Sequence, residues 1–286
     1  MLKISTARPA LSVYQEAIAE QFNGKKNDLN YMLGRETALI HHHFGVGFVD
    51  PETYAIMDQD EILRRLHYLE TAQVDHLIRM IDPLSRDDIV FDGGSGRAGT
   101  ARMVHERFGC QYHGVNISSY QVEFSRKLIA KQGYSDSVFF HYADMLQTGF
   151  DADFFDCLIT NETTMYARDL NELFAEFARI VKPNGQYVFA TWCLDESHKN
   201  PRKFTDFIDQ HYNVTMHQRK DYYQALIDKN FIPESVVDLS GLVWPSFELR
   251  RHSEHRTGVE QSFIDGLKEG GVHYFMARCR FLPNRR

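Results

Sequence analysis

The stretch that most constrains this chain is DGGSGRAG, residues 92–99, placed directly after the apolar run Ile89-Val90-Phe91 and before a segment with helical spacing. A strand that turns on glycines into a helix begins a βα unit, and glycines at that turn let a ligand approach the backbone. The lysine that a phosphate-cradling loop needs is absent, so a nucleoside triphosphate site of that kind is excluded. A dinucleotide fingerprint would want G-x-G-x-x-G and an acid about 20 residues on. Here the pattern is led by Asp92, followed by Gly94 and Gly96, and Asn116 stands at the later position. A short acid-led glycine loop suits a ligand with an ammonium group and no pyrophosphate.

From residue 85 onward, short apolar runs alternate with helix-like segments, the pattern of a parallel sheet covered on both faces. Strands are predicted at 89–92, 112–116, 137–142, 155–161, 185–192, 234–238 and 272–280. In NELFAEFARIVKPNG, Leu173, Phe174, Phe177 and Ile180 recur at helical spacing, and Pro183-Asn184-Gly185 turns the chain toward the next strand. Before residue 85 the chain reads differently, with a helix over 11–22, a polar turn over 23–30 and a helix over 60–80. A second insertion, 195–232, carries apolar and aromatic residues at helical intervals. The expected organisation is an N-terminal helical cap over 1–84 and an α/β core over 85–286 with that insertion at about 195–232. With 286 residues, 43% of them hydrophobic, the chain can bury such a core. In the first helix, Leu11, Tyr14, Ala17, Ile18 and Phe22 form an apolar face with no strand of its own to cover. It is expected to close a pocket or to pack on another subunit, which makes a homo-oligomer the expectation.

Charge and cysteine usage narrow the partners. With 39 acids against 32 Lys plus Arg, a formal charge of -7 and a pI near 6.0, the chain lacks the basic surface that nucleic acid requires. An anionic substrate must then meet a local cluster or a metal. Cys110, Cys157, Cys193 and Cys279 are far apart with no C-x-x-C pair, and the sequence begins without a secretory pattern. Buried free thiols in a cytoplasmic protein are expected. No stretch approaches the roughly 18 apolar residues of a membrane span, so no membrane partner is expected.

The acid-led loop after a strand resembles the first motif of the class I S-adenosylmethionine-dependent methyltransferases. That resemblance implies an α/β fold of the Rossmann-like kind, a mostly parallel seven-stranded sheet flanked by helices, with S-adenosylmethionine as cofactor. It places Asp92, Gly94 and Gly96 against the methionine portion and Asn116 and Gln121 near the ribose, with Asp144 and Met145 at the adenine and Asn161 in the same set. Asn116 departs from the family's usual Asp or Glu, but an amide oxygen can still accept from a hydroxyl. Read alone, Asp144 is also a helix cap.

Two further segments, NYMLGRETALIHHHFGVG and TNETTMY, resemble those of the prenyl diphosphate C-methyltransferases. The resemblance implies methylation of an alkene carbon of a prenyl diphosphate, with geranyl diphosphate favoured. An alkene needs no prior deprotonation: its π bond attacks the sulfonium methyl, and the resulting carbocation must lose a proton. Such a site wants aromatic faces, for which Phe44, Tyr166, Trp192, Tyr222, Tyr223, Trp244 and Phe247 are candidates, and one base, for which Glu162 at the mouth of the fourth strand is the candidate. Arg35 and His41, His42 and His43, with Arg64 or Arg65, are expected to meet the diphosphate together with Mg²⁺, which is held by phosphate and water rather than by a protein cage. The histidines lack H-E-x-x-H spacing and a nearby cysteine, which speaks against zinc. Plainer readings stand beside these: Glu162 as a cap or a partner of Arg168, and the aromatics as core. Two competing functions are an O- or N-methyltransferase, in which Glu162 acts before transfer, and a binding scaffold without catalysis.

Overall fold

A computed structural model describes residues 9–283 of the chain. The β-branched and aromatic runs become β1 (Ile89–Gly93), β2 (Gln111–Asn116), β3 (Val138–Tyr142), β4 (Phe155–Asn161), β5 (Val181–Leu194), β6 (Phe231–Asp238) and β7 (Val272–Phe281). They form one sheet in the order β3-β2-β1-β4-β5-β7-β6. β1 pairs in parallel with β2 on one side and β4 on the other, and β7 runs antiparallel between β5 and β6. The chain therefore leaves β1 in one direction and returns to β4 in the other, and the crevice for a ligand opens at the carboxyl ends of these two strands.

Every predicted strand is present. β5 starts earlier than expected, at Val181, which pairs with Phe155; the turn at Asn184, with φ of 66°, forms an irregularity before register resumes at Gln186 opposite Cys157. Helices α4 (Gly99–Phe108), α5 (Ser119–Gln132) and α6 (Leu170–Ile180) cover the sheet. The apolar stripe of α6 behaves as its spacing requires, with Leu173, Phe174, Phe177 and Ile180 all fully buried.

Ahead of the sheet lie α1 (Val13–Gly24), α2 (Leu29–Gly34) and α3 (Gln59–Met80). Each starts at a side-chain cap: Ser12 and Gln15 form a reciprocal box, and Asp28 and Asp58 accept from backbone N–H groups one turn on. Ile18 and Ala19 of α1 are buried while Ala17 is exposed, so the buried stripe is rotated from the one expected. The Tyr14 hydroxyl donates to the Asn213 carbonyl at 3.0 Å, and the Arg168 guanidinium lies 3.9 Å from the Tyr14 ring. The inner face of α1 is thus used within the chain.

The insertion after β5 contains α7 (Arg202–Tyr212) and α8 (Arg219–Asp228), but only α7 belongs to the cap, because α8 packs back on α6 and β6. The remaining cap helices, α9 (Ser240–His252) and α10 (Glu260–Lys268), lie between β6 and β7, outside the expected insertion. Pro245 inside α9 masks its helical period, yet Val243, Phe247 and Leu249 are fully buried. All four cysteines are buried and free. Among the described residues no helix is long and apolar enough to cross a membrane.

Candidate active site: two cavities that share a carboxylate

The first cavity opens at the carboxyl ends of β1 and β4. Gly94 has φ of 82°, and a Cβ built on it would lie 2.5 Å from Cγ2 of Thr163, so only glycine fits between the loop and the strand opposite. Asp92, Gly94, Gly96, Asn116, Gln121, Asp144, Met145 and Asn161, all expected around the cofactor, line this one cavity. Gln15, Ile18 and Phe22 of α1 close it from above. With its mouth counted it holds about 960 Å³, room for a nucleoside-sized ligand.

Local hydrogen bonds set the polar groups. Tyr112 donates its hydroxyl to Asp92 Oδ2 at 2.6 Å, and burial pushes the Asp92 carboxyl up to about 7. The Asn116 amide donates to Gln121 Oε1 at 2.8 Å and its oxygen accepts from Ser118 N at 2.8 Å, leaving that oxygen one lone pair for a ligand. Asp144 begins no helix. Its carboxylate accepts from Leu146 N at 2.9 Å and from Gln15 Nε2 at 2.6 Å, which latches α1 over the cavity, and burial raises its pKa.

The second cavity, about 950 Å³ with its mouth counted, lies between the sheet and the cap. Phe44, Trp192, Tyr212 and Phe263 give it aromatic faces, and Met165, Ile208, Val214 and Met216 give it aliphatic ones. Phe22, His42, His43, Glu162 and Tyr166 line both cavities. The two spaces therefore meet at Glu162.

Glu162 follows the last residue of β4 with φ of 54°, a conformation that a non-glycine residue holds only when its surroundings impose it. Its backbone N–H donates to Ala190 O at 2.9 Å, and its Oε1 accepts from Phe44 N at 3.0 Å. Gly45, the next residue after Phe44, presses on α3: a Cβ there would lie 2.3 Å from the Leu69 carbonyl carbon, so the HHHFG segment needs glycine to bring Phe44 within reach. Burial pushes the Glu162 carboxyl up to about 7, against the pull of Trp192, Tyr274 and the Phe44 N–H, which favour its charged form. Behind it, Gln73 donates to Tyr274 Oη at 2.7 Å and exchanges two amide bonds with Asn161, at 2.7 and 3.0 Å. Arg168 is not its partner, since that guanidinium sits on Tyr14.

The expected counter-charges are arranged differently. Arg35 is exposed and lines neither cavity, and Arg64 and Arg65 are engaged with Glu61 on the surface. His41, His42 and His43 all line the first cavity, but burial holds each ring neutral; His43 is pushed down to about 4. His41 lines only the first, and both of its ring nitrogens lack a partner. The cationic end of the second cavity is built instead by Lys25 and Arg250, beside Asn30, His211 and Thr257; burial lowers the His211 pKa, so that ring adds no charge. Burial depresses the Lys25 pKa, and Arg250 and Arg97 lower it further, against Asp28. Arg250 pairs loosely with Glu260, at 3.4 Å, and its Nε has no hydrogen-bond partner. Crowded like charges with unfilled donors suit an anion.

Sequence spacing does not single out Lys25 or Arg250, because one sits past the end of α1 and the other in the helix masked by Pro245. Of the aromatic candidates, Phe44, Tyr166 and Trp192 line the second cavity, and Phe247 packs against Phe44 with ring centroids 4.4 Å apart and planes tilted by 40°. Tyr222 is buried in the sheet core, bonded to Thr164 and Thr191, while Tyr223 and Trp244 also lie off both cavities. Among the described residues no group of three or more His, Cys, Asp or Glu is placed to hold a metal.

Residues 91–189 match the sequence signature of a methyltransferase domain. The geranyl diphosphate 2-C-methyltransferase of Saccharopolyspora erythraea is 37% identical over 270 residues, covering 93% of this chain and 94% of the relative. A geranyl diphosphate methyltransferase solved with GPP and sinefungin superposes with a TM-score of 0.91 at 34% identity, over 94% of this chain and all of the other. The geranyl diphosphate C-methyltransferase of Streptomyces coelicolor A3(2), solved with Mg²⁺, geranyl-S-thiolodiphosphate and S-adenosyl-L-homocysteine, gives 0.90 at 33% identity, over 95% of this chain and 99% of the other.

Proposed function

The chain belongs to the geranyl diphosphate 2-C-methyltransferase family, and on that premise we propose how its two cavities divide the reaction. The protein is an S-adenosylmethionine-dependent enzyme that C-methylates geranyl diphosphate, with Mg²⁺. The first cavity takes the cofactor and the second the prenyl diphosphate. The observation that carries this division is Glu162, a buried carboxylate at the junction of an acid-led glycine loop and an aromatic-lined cavity with a cationic end.

The residues present suit both bound groups. Asp92 and Glu162, held near neutrality by burial, and the unpartnered ring nitrogens of His41 face a cavity that a cationic, amine-bearing cofactor would complete. Bound there, S-adenosylmethionine supplies an electrophilic methyl group, and Mg²⁺ supplies charge neutralisation at the diphosphate. Asp28, the acid of the second cavity apart from Glu162, already accepts from Arg97 at 2.6 Å and from Tyr31 N at 3.2 Å. The ion therefore arrives held by phosphate oxygens and water, and Lys25, Arg250 and Asn30 receive the head group.

Phe44, Tyr166 and Trp192 present ring faces to the prenyl chain, where their quadrupoles favour positive charge developing on carbon. The cap excludes water, which would otherwise trap that charge as an alcohol. Glu162 takes the proton that restores the alkene, and its negative charge favours the cation as it forms. The O- and N-methylation readings fit less well, because a cationic head-group end has no use with a neutral phenol or amine. Incubation with labelled S-adenosylmethionine and geranyl diphosphate, with and without Mg²⁺, tests the assignment. A single product methylated at C2, lost with EDTA and formed poorly from geraniol, is expected; equal rates with geraniol would overturn the head-group assignment.

A further inference from the structure

We propose that Arg97 is a positioning residue that couples the two cavities, so that filling one raises the affinity of the other; this rests on the assignment of cofactor to the first cavity and diphosphate to the second. Arg97 lies in the glycine loop, lines the first cavity and has no exposed surface. Its fork is spent on the segment that builds the second. Nη2 donates to Asp28 Oδ1 at 2.6 Å, Nη1 to the carbonyls of Lys26 and Lys25 at 3.4 and 3.5 Å, and Nε to His42 Nε2 at 2.6 Å. Lys25, Asp28 and His42 all line the second cavity, and the Asn30 amide stands 3.1 Å from His42 Nδ1.

These contacts make one mechanical unit of the two sites. Gly96 and Ala98, on either side of Arg97, are both left-handed, at φ of 55° and 72°, so the loop has a specific shape that a ligand on its backbone would hold. A guanidinium does not shed its proton, so His42 accepts at Nε2, and burial keeps its ring neutral. Separating Arg97 from Asp28 would leave a buried charge uncompensated, and the 25–30 segment therefore follows the loop. Whichever ligand binds first fixes the loop and that segment together, and the second ligand binds a site already ordered. The shared wall residues could transmit coupling without Arg97, and that is the alternative to separate. Arg97→Lys keeps the charge and loses the fork that spans Asp28, His42 and the two carbonyls.

Calorimetry with S-adenosylhomocysteine, in the absence and in the presence of saturating geranyl-S-thiolodiphosphate and Mg²⁺, measures the coupling as a ratio of dissociation constants. In the wild type the homocysteine ligand should bind at least about 5-fold tighter with the analogue present, with the same factor in the reciprocal titration. In Arg97→Lys and in Asp28→Asn the factor should fall below about 2-fold while each ligand still binds alone. A uniform loss of affinity cancels in the ratio, so a merely structural role does not imitate the result. If Arg97→Lys does not fold, Asp28→Asn, which keeps the shape of the helix cap, reads the same quantity. Wild-type coupling near unity, or undiminished coupling in the variants, overturns the proposal; failure of either ligand to bind the wild type overturns the cavity assignment and the proposal with it.

Discussion

At Glu162 a strained backbone, φ of 54°, aims a carboxylate into the space where two cavities meet, and the Phe44 N–H holds it there at 3.0 Å. Glu162→Gln keeps the shape and removes the base. Its kcat should fall by ~10²- to 10⁴-fold with cofactor affinity changed little; near wild-type turnover to the same product would transfer the role to another group. In the wild type kcat/KM should rise with pH through an acid limb near 7, the pKa of the free carboxyl. The limb of kcat should lie lower, because a neighbouring sulfonium favours the ionised form. At this scale the sequence was legible where chemistry follows chain order: an acid at a strand end, a glycine loop before a helix. It was illegible where charge is recruited from cap helices. Arg35 sits in a motif and is exposed, whereas Lys25 and Arg250 sit in no motif and line the cavity. Arg250→Met and Lys25→Met should each raise KM for geranyl diphosphate by tenfold or more, about the 1.4 kcal/mol or greater expected of a lost charge-assisted bond. Arg35→Ala should leave steady-state kinetics unchanged, and a comparable KM rise there would restore the expectation drawn from the motif.

The elements of the sheet were readable because short β-branched and aromatic runs and flanking turns are local signals; all seven expected strands are present, with β5 and β6 starting earlier than expected, at Val181 and Phe231. The cap was only half readable. Helices α7 and α8 both carry apolar and aromatic residues in the insertion, yet α8 packs on α6, so Tyr222 bonds Thr164 and Thr191 in the core rather than facing a substrate. Spacing reports that a face is buried and not what buries it. The loop between α7 and α8 continues the wall that Ile208 and Tyr212 of α7 begin. Asn213, at φ of 57°, ends α7, Val214 N donates to Asp209 O at 3.0 Å, Thr215 N to Met165 O at 2.9 Å, and Leu194 N to His217 O at 2.9 Å. The 214–216 segment is therefore pinned from both sides as the aliphatic wall of the second cavity, with Met216 fully buried in it. A pinned wall sets depth. Met216→Ala should open room for part of one more isoprene unit and raise the ratio of kcat/KM for farnesyl over geranyl diphosphate by roughly 10-fold, as a few methylenes of apolar contact allow. An unchanged ratio in competition assays would place the chain terminus elsewhere.

Across the whole molecule, burial shifts carboxyls and histidines alike, at the site and in the sheet away from it. Burial raises the pKa of Asp92, Glu162, Glu70 and Asp144 and lowers those of several histidines, among them buried His113 and half-buried His141, stacked across β2 and β3 and pushed down to about 4 and 3. The two sets act in opposite directions. A histidine with a lowered folded pKa contributes stability above the unfolded value of 6.5 that is lost as pH falls, because the unfolded chain takes up protons first. A carboxyl with a raised folded pKa costs stability above that pKa, and the cost disappears as pH falls below the unfolded value, where both states are protonated. For Glu162 those limits are about 7 and 4.5. The full difference amounts to at most about 3 kcal/mol. Glu162→Gln, inactive as an enzyme, should therefore be the more stable protein at pH 8, by several degrees in thermal unfolding. Its advantage over wild type should shrink by about 2 kcal/mol between pH 8 and pH 5 in urea titrations. Any fixed penalty of the glutamine amide cancels in that difference, so the pH dependence isolates the carboxyl. An advantage of Glu162→Gln that stayed flat from pH 8 to pH 5, or grew on acidification, would mean that Glu162 is already ionised at low pH. The acid limb of kcat/KM near 7 would then belong to Asp92.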